Sequence, residues 1–131
     1  MLNKLRTELK LRGFSDRTIK TYLFHNQRFL NYINKDATLV TQDDIKMYLA
    51  DLMSKNAASS VSLTKAALKF LYDNVLEKGI VNFKTPKIPK KVPIVLTKDE
   101  VKRLIAVTKN FKHKLLIEFM YSSGLRLSEV V

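Results

Sequence analysis

The stretch SDRTIKTYLFHNQRFLNYI, residues 15–33, repeats its large side chains every three or four positions. Ser15 is a residue type favoured at the N-cap of a helix. The residues that fall on one side of this helix are Ile19, Tyr22, Leu23, Asn26, Phe29, Leu30 and Ile33. This spacing predicts an amphipathic helix that packs by one face and leaves the other in solvent.

Three further helical patterns flank that stretch. One covers about residues 2–11 and meets a stop at Gly13. Another opens at Thr41, where acidic residues in the first turn complement the helix dipole. The last opens near Ser59 or Ser60 and meets a stop at Gly79. Because the connections are short and no strand alternation interrupts them, residues 1–79 are predicted to form an all-α, four-helix domain.

Residues 80–96 differ from the patterns on either side. They hold all three prolines, four lysines and no acidic residue, which predicts an extended basic linker rather than a helix. Thr97 and Glu100 then fit a capping box that starts a helix, and a second helix ends at Gly124. Residues 97–131 are therefore expected to begin a second domain. Since two helices cannot bury their apolar faces alone, we expect the chain to be the front part of a longer protein.

Charge is the strongest compositional signal. The chain has 24 basic and 12 acidic residues among 131, a net charge of +12 and a pI near 10.0, which favours a polyanionic partner. It has no cysteine, and His25 and His113 lie far apart, so no metal or cofactor is expected. No apolar run is long enough for a membrane span and the N-terminus lacks signal-peptide features, so a cytoplasmic protein without membrane association is predicted.

Two motifs in the second half carry a resemblance to a known family. Residues 94–101, IVLTKDEV, lead out of the basic linker, and residues 121–129, YSSGLRLSE, follow them. Together with Thr18 and Tyr22 in the second helix, they make the chain resemble the tyrosine recombinases (phage-type integrases), and among these the Xer-like enzymes of archaea and bacteria. The resemblance implies a SAM-like core-binding domain followed by a truncated, mixed α/β catalytic domain.

The resemblance also implies a chemistry. Members of this family break and rejoin DNA at specific sites through a tyrosine nucleophile, with no metal or cofactor. Arg126 matches the first catalytic arginine, whose guanidinium suits a phosphate that accumulates charge. The other catalytic residues would lie beyond Val131, so this chain alone is predicted to be inactive. The alternative interpretation of Arg126 is a surface residue paired with Glu129.

Candidate DNA contacts follow from the basic helix faces and the linker. The resemblance implies that the second and fourth helices lie against duplex DNA, with Lys20 and Lys65 the foremost contacts. The complete candidate set is Arg17, Lys20, Ser62, Lys65 and Lys69 on the helices, with Lys87, Lys90 and Lys91 in the linker. For each lysine, a simple solvated face is the alternative.

The whole protein is expected to act as a homotetramer on double-stranded DNA, and this chain to be a monomer or weak dimer.

The five tyrosines are interpreted as core or boundary aromatics rather than as the nucleophile. One rival function is a non-catalytic, DNA-binding helical regulator. Another is a helical protein-interaction module whose charge is incidental. The target sequence and the biological role stay open.

Overall fold

A computed structural model describes residues 1–85 and 87–131. Pro86, one of the prolines of the predicted linker, lies outside the described residues. The chain divides into two compact units, Met1–Pro89 and Lys90–Val131. The described residues contain helices and no strand, so the predicted all-α class is confirmed.

In its described residues, the first unit contains four α-helices. They are α1 (Leu2–Leu11), α2 (Asp16–Ile33), α3 (Gln42–Lys55) and α4 (Ala58–Phe70), with a short 3-10 turn at Ala37–Leu39 before α3. The apolar faces of the helices meet in one core. Its largest fully buried side chains include Tyr72, Phe29, Leu5, Leu9, Ile45 and Leu68.

Local side chains set the helix starts that the sequence predicted. Ser15 Oγ accepts a hydrogen bond from the Thr18 amide at 3.3 Å, and Thr41 forms a reciprocal capping box with Asp44. Such contacts satisfy amide groups that have no partner inside the helix. The helix predicted to open near Ser59 or Ser60 begins at Ala58 without a side-chain cap, because the amides of Ser60 and Val61 bond to the carbonyl of Ala57.

The end of α4 is wider than an ordinary helix. Leu71–Val75 form a π-helical turn, and the Leu76 amide bonds to the Leu71 carbonyl at 3.0 Å. Glu77 and Gly79 then adopt positive φ angles of 53° and 57°, which reverse the chain direction. Residues 80–83, here called the return segment, come back onto the bundle. Val81 is 1% exposed, so the stretch predicted as a linker starts with residues packed on the core.

The second unit contains α5 (Lys98–Val107), α6 (Phe111–Ser123) and the short α7 (Leu127–Val130). The capping box of Thr97 and Glu100 is present, with contacts of 2.7 and 3.3 Å, and Gly124 ends α6 at φ +69°. No residue of α6 is buried: Leu115 and Phe119 are exposed, and Leu116 and Met120 are half-buried.

Candidate nucleic-acid interface

The solvent face of α2 is basic along most of its length. Arg17, Lys20 and Arg28 are exposed, whereas Ile19, Asn26 and Phe29 on the opposite side are buried. Residues 17–35 contain no acidic side chain. From Arg17 onward, no carboxylate on this helix neutralises the positive charge of the face.

A groove between α1 and α2 adds basic residues that the sequence interpretation did not include. It has a volume of about 550 Å³ and continues into a smaller hollow of about 220 Å³. Arg6 and Lys10 line it from α1, and Lys20 and Arg28 line it from α2. We call these four residues the basic groove. Asp16 is the acidic residue among its lining, so the balance of the groove is strongly positive.

Two of these four residues could have been noticed from the sequence. Arg6 and Lys10 recur with Asn3 at helical spacing on α1, which marks a polar stripe. The stripe becomes part of a larger basic surface only because α1 packs beside α2. Helical periodicity alone does not specify which helix becomes the neighbour.

The basic residues of α4 are engaged with their own chain. Lys65 Nζ donates to the Phe83 carbonyl and lies 4.9 Å from the centre of the Phe83 ring. Lys69 Nζ lies 2.8 Å from Asp73 Oδ2 and donates to the Val81 carbonyl at 3.3 Å. The return segment is not helical, so its carbonyls need donors from elsewhere. The two lysines supply them, while Ser62, one helical turn earlier, is half-buried.

The Phe83 ring contacts cations from two helices. Lys46 of α3 places its Nζ 5.7 Å from the ring centre, and Lys65 of α4 places its Nζ at 4.9 Å. Cation–π contacts of this kind stabilise an exposed site by roughly 0.5–1 kcal/mol each. Lys46 and Lys65 thus attach the return segment to α3 and α4. Of these two residues, Lys65 was a predicted DNA contact.

The crossing of α2 and α4 is fixed by two polar contacts. Asn26 Nδ2 donates to the Ala67 carbonyl at 3.0 Å, and His25 Nδ1 lies 3.1 Å from Thr64 Oγ1. Burial lowers the pKa of His25, and the positive charge of Arg28 lowers it further. These contacts give α2 a defined orientation on α4 and so fix the direction of its exposed face.

The linker candidates are exposed. Lys87 belongs to the first unit, and Lys90 and Lys91 belong to the second.

Arg126 stands immediately before α7. Its side chain is 85% exposed, and Nη1 lies 3.6 Å from Glu129 Oε1. The Arg126 amide also donates to Glu129 Oε2 at 2.7 Å. The structure therefore contains the pair with Glu129 that the surface interpretation predicts. An exposed pair of this kind contributes at most about 1 kcal/mol, so it would not hold the guanidinium away from a phosphate.

Within residues 1–85 and 87–131, no group of three or more histidine or carboxylate side chains is arranged to hold a metal ion. In the same part of the chain, no helix combines the length and the apolar character that crossing a membrane requires.

Residues 1–81 match the family described as "Phage integrase, N-terminal SAM-like domain". This match covers α1 to α4 and the first part of the return segment. The chain therefore belongs to the phage integrase, or tyrosine recombinase, family.

Relatives with known names agree with this assignment. The tyrosine recombinase XerA of Pyrococcus horikoshii is 34% identical over 133 residues, which cover 99% of this chain and 45% of that protein. The tyrosine recombinase XerD of Oceanobacillus iheyensis is 27% identical, with 92% of this chain and 46% of that protein covered. A crystal structure of XerA recombinase is similar with a TM-score of 0.57 and 27% identity, over 98% of this chain and 47% of that one. The chain thus spans less than half the length of these relatives.

Proposed function

We propose that this chain is the DNA-binding portion of a site-specific tyrosine recombinase and binds duplex DNA through the basic groove and the adjoining face of α2. The observation that carries the proposal is the convergence of Arg6, Lys10, Lys20 and Arg28 from two helices. A single basic helix face is common on soluble proteins. Four cations gathered along one groove, with one carboxylate among them, suit a polyanion better than a general solubility role.

Phosphate contacts supply the affinity in this proposal. Each lysine or arginine that neutralises a phosphate releases condensed counterions, and this release favours binding. Arg17 extends the contact surface along α2. The linker residues Lys87, Lys90 and Lys91 add backbone contacts that carry no sequence information.

The α4 candidates Ser62, Lys65 and Lys69 are proposed as secondary contacts. Lys65 and Lys69 would have to exchange the carbonyls of the return segment for phosphate oxygens. This exchange costs part of what DNA binding gains, so Lys20 is the stronger candidate of the two foremost lysines.

Arg126 is proposed as the first catalytic arginine of the whole enzyme. It would leave its exposed pair with Glu129 and bind the scissile phosphate with its planar, permanently charged guanidinium. No lysine, second arginine or nucleophilic tyrosine of the family's catalytic set is assigned among these 131 residues. We therefore propose that this chain binds DNA without cutting it, and that the whole protein recombines DNA in the cytoplasm as a homotetramer.

A salt titration of DNA binding tests the proposal. Fluorescence anisotropy with a labelled duplex would be measured between 50 and 200 mM NaCl. The four cations of the basic groove alone predict an affinity loss of roughly a hundredfold over this fourfold change in salt, and contacts by Arg17 and the linker lysines would make it steeper. A flat response would favour the protein-interaction alternative and contradict the proposal.

Matched variants on one helix locate the contact. Arg6→Ala should weaken binding and reduce the steepness of the salt dependence by about one phosphate contact. Lys4→Ala removes an exposed basic residue of α1 that does not line the groove, and it should leave both properties unchanged. Lys20→Ala should weaken binding more than Lys65→Ala, because Lys65 is engaged with Phe83. Equal effects of Arg6→Ala and Lys4→Ala would place the DNA elsewhere.

A further inference from the structure

Phe24 is an exposed aromatic residue in the middle of a basic helix face. Its side chain is 59% exposed, one helical turn after Lys20 and one before Arg28. Its ring contacts that of His25 edge-on, with 5.4 Å between the ring centres. Most large apolar residues of α2 are buried or packed against the core. Phe24 instead is exposed and lines the groove beside Lys20 and Arg28.

The polar neighbours of Phe24 carry amide groups. Gln27 and Asn31 lie at i+3 and i+7 from Phe24 and line the same groove. Gln27 Nε2 donates to Asn31 Oδ1 at 2.8 Å, which orients the two amides relative to each other. Both side chains are exposed, so each keeps donors and acceptors available to a partner.

This combination matches the chemistry of base edges in the major groove. Arginine suits guanine, the amides of asparagine and glutamine suit adenine, and an apolar side chain such as phenylalanine suits the C5-methyl group of thymine. An α-helix fits the width of the major groove, and 18 residues give α2 a length of about 27 Å. A face with cations, two amides and one apolar ring has the groups to read an A·T-containing sequence as well as to bind phosphates.

We propose that Phe24 is a specificity-determining residue, whose ring packs against the C5-methyl group of a thymine in the major groove. This inference rests on the proposed function, because it needs α2 to face duplex DNA. It goes further by naming the chemical group that is read and the side chain that reads it. The partner is double-stranded DNA, since the surrounding cations complement phosphates and residues 17–35 contain no acidic side chain.

The experiment uses the full chain and a pool of random duplexes. Selection for binding would give an enriched duplex, in which each thymine is then replaced singly by deoxyuridine, which lacks only the methyl group. At one thymine, the replacement should weaken binding by the wild-type chain about fourfold, as expected for one buried methyl group. The same replacement should have no effect on Phe24→Ala, and Phe24→Leu should keep part of the discrimination.

Two controls separate folding from recognition. The urea midpoint of Phe24→Ala should equal that of the wild type, because the side chain is largely exposed. Leu39→Ala removes another exposed apolar side chain of the first unit, 69% exposed, and should retain the full deoxyuridine effect.

The outcomes distinguish this inference from the function on which it rests. Salt-sensitive duplex binding with no thymine position at which the wild type and Phe24→Ala differ would overturn the role of Phe24 and leave the DNA-binding proposal standing. Binding that shows neither enrichment nor salt dependence would overturn both. A deoxyuridine effect that disappears only in Phe24→Ala would establish the contact.

Discussion

The side-chain amide of Asn26 on α2 donates a buried 3.0 Å hydrogen bond to the main-chain carbonyl of Ala67 on α4. The same nitrogen also donates to the Tyr22 carbonyl at 2.9 Å within α2. Asn26 is completely buried, so these bonds form where water cannot replace them. They fix how α2 lies on α4, and with it the direction of the basic face.

Asn26→Ala should lower the free energy of unfolding by about 1–3 kcal/mol, because it removes a buried interhelical bond and leaves a cavity. Urea denaturation followed by far-UV circular dichroism would measure the change. Asn56→Ala is the matched control, since Asn56 is exposed at the end of α3 and should change the midpoint little. Equal midpoints for the two variants would show that the Asn26 bond does not stabilise the bundle.

Phe83→Ala should loosen the return segment. The substitution removes the ring that Lys46 and Lys65 contact. If both cation–π contacts contribute, the free energy that stabilises the packed segment should fall by about 1–2 kcal/mol. Trypsin should then cleave after Lys84 faster than in the wild type, because the protease needs a locally opened chain.

Phe111→Ala serves as the control for that measurement. Phe111 is 79% exposed in the second unit, so its loss should leave cleavage after Lys84 unchanged. An unaltered cleavage rate in Phe83→Ala would mean that the lysine bonds to the Val81 and Phe83 carbonyls hold the segment without the ring.

The first unit should lose stability as the pH falls from about 7.5 to 5.5. The pKa of His25 is lowered in the folded chain by burial and by Arg28, so below its ordinary value near 6.5 the unfolded chain binds more protons. The stabilisation is therefore present above that pH and is lost as the pH falls toward the folded pKa. Urea midpoints at the two pH values would measure it.

His25→Gln supplies the comparison for this pH dependence. The glutamine cannot be protonated in this range, so the variant should show a smaller drop between pH 7.5 and 5.5. A drop as large in His25→Gln as in the wild type would assign the effect to other groups.

The chain should form no covalent adduct with DNA. Tyr72 is buried and Tyr48 nearly so, burial raises the pKa of both phenols, and neither hydroxyl has a hydrogen-bond partner in the described part of the chain. Neither group can reach a phosphate or lose its proton readily. A nicked suicide duplex carrying the selected sequence, analysed on a denaturing gel, should show free protein.

An adduct in that experiment would contradict the prediction that none of the five tyrosines of this chain is the nucleophile. Tyr32→Phe and Tyr121→Phe would then identify the source, because Tyr32 and Tyr121 are 53% and 55% exposed. Loss of the adduct in one variant and its retention in the other would name the reactive tyrosine.

The aromatic residues show how far periodicity predicts burial. All five tyrosines were interpreted as core or boundary aromatics. Tyr72 and Tyr48 are 0% and 2% exposed, whereas Tyr121 is 55% exposed. Tyr72 lies four residues after the buried Leu68, so helical spacing already places it on the core face. The exposed Tyr121 belongs to α6, in which no residue is buried.

The sequence alone determined the helical class, most helix limits and the excess positive charge. These properties depend on short-range chemistry: the caps at Ser15, Thr41 and Thr97 and the left-handed glycine at Gly124 act within one turn of their own helices. Family membership also follows from motifs that can be read along the chain.

Only the tertiary structure decided which basic residues share a surface. Arg6 and Lys10 join Lys20 and Arg28 because α1 packs beside α2, and Lys65 and Lys69 turn to the return segment because its carbonyls lack helical partners. Helical periodicity places a side chain on a face but does not specify what that face meets. The neighbour is chosen by the packing of residues distant in sequence, and that packing separates the exposed lysines of the basic groove from those that hold the return segment on the bundle.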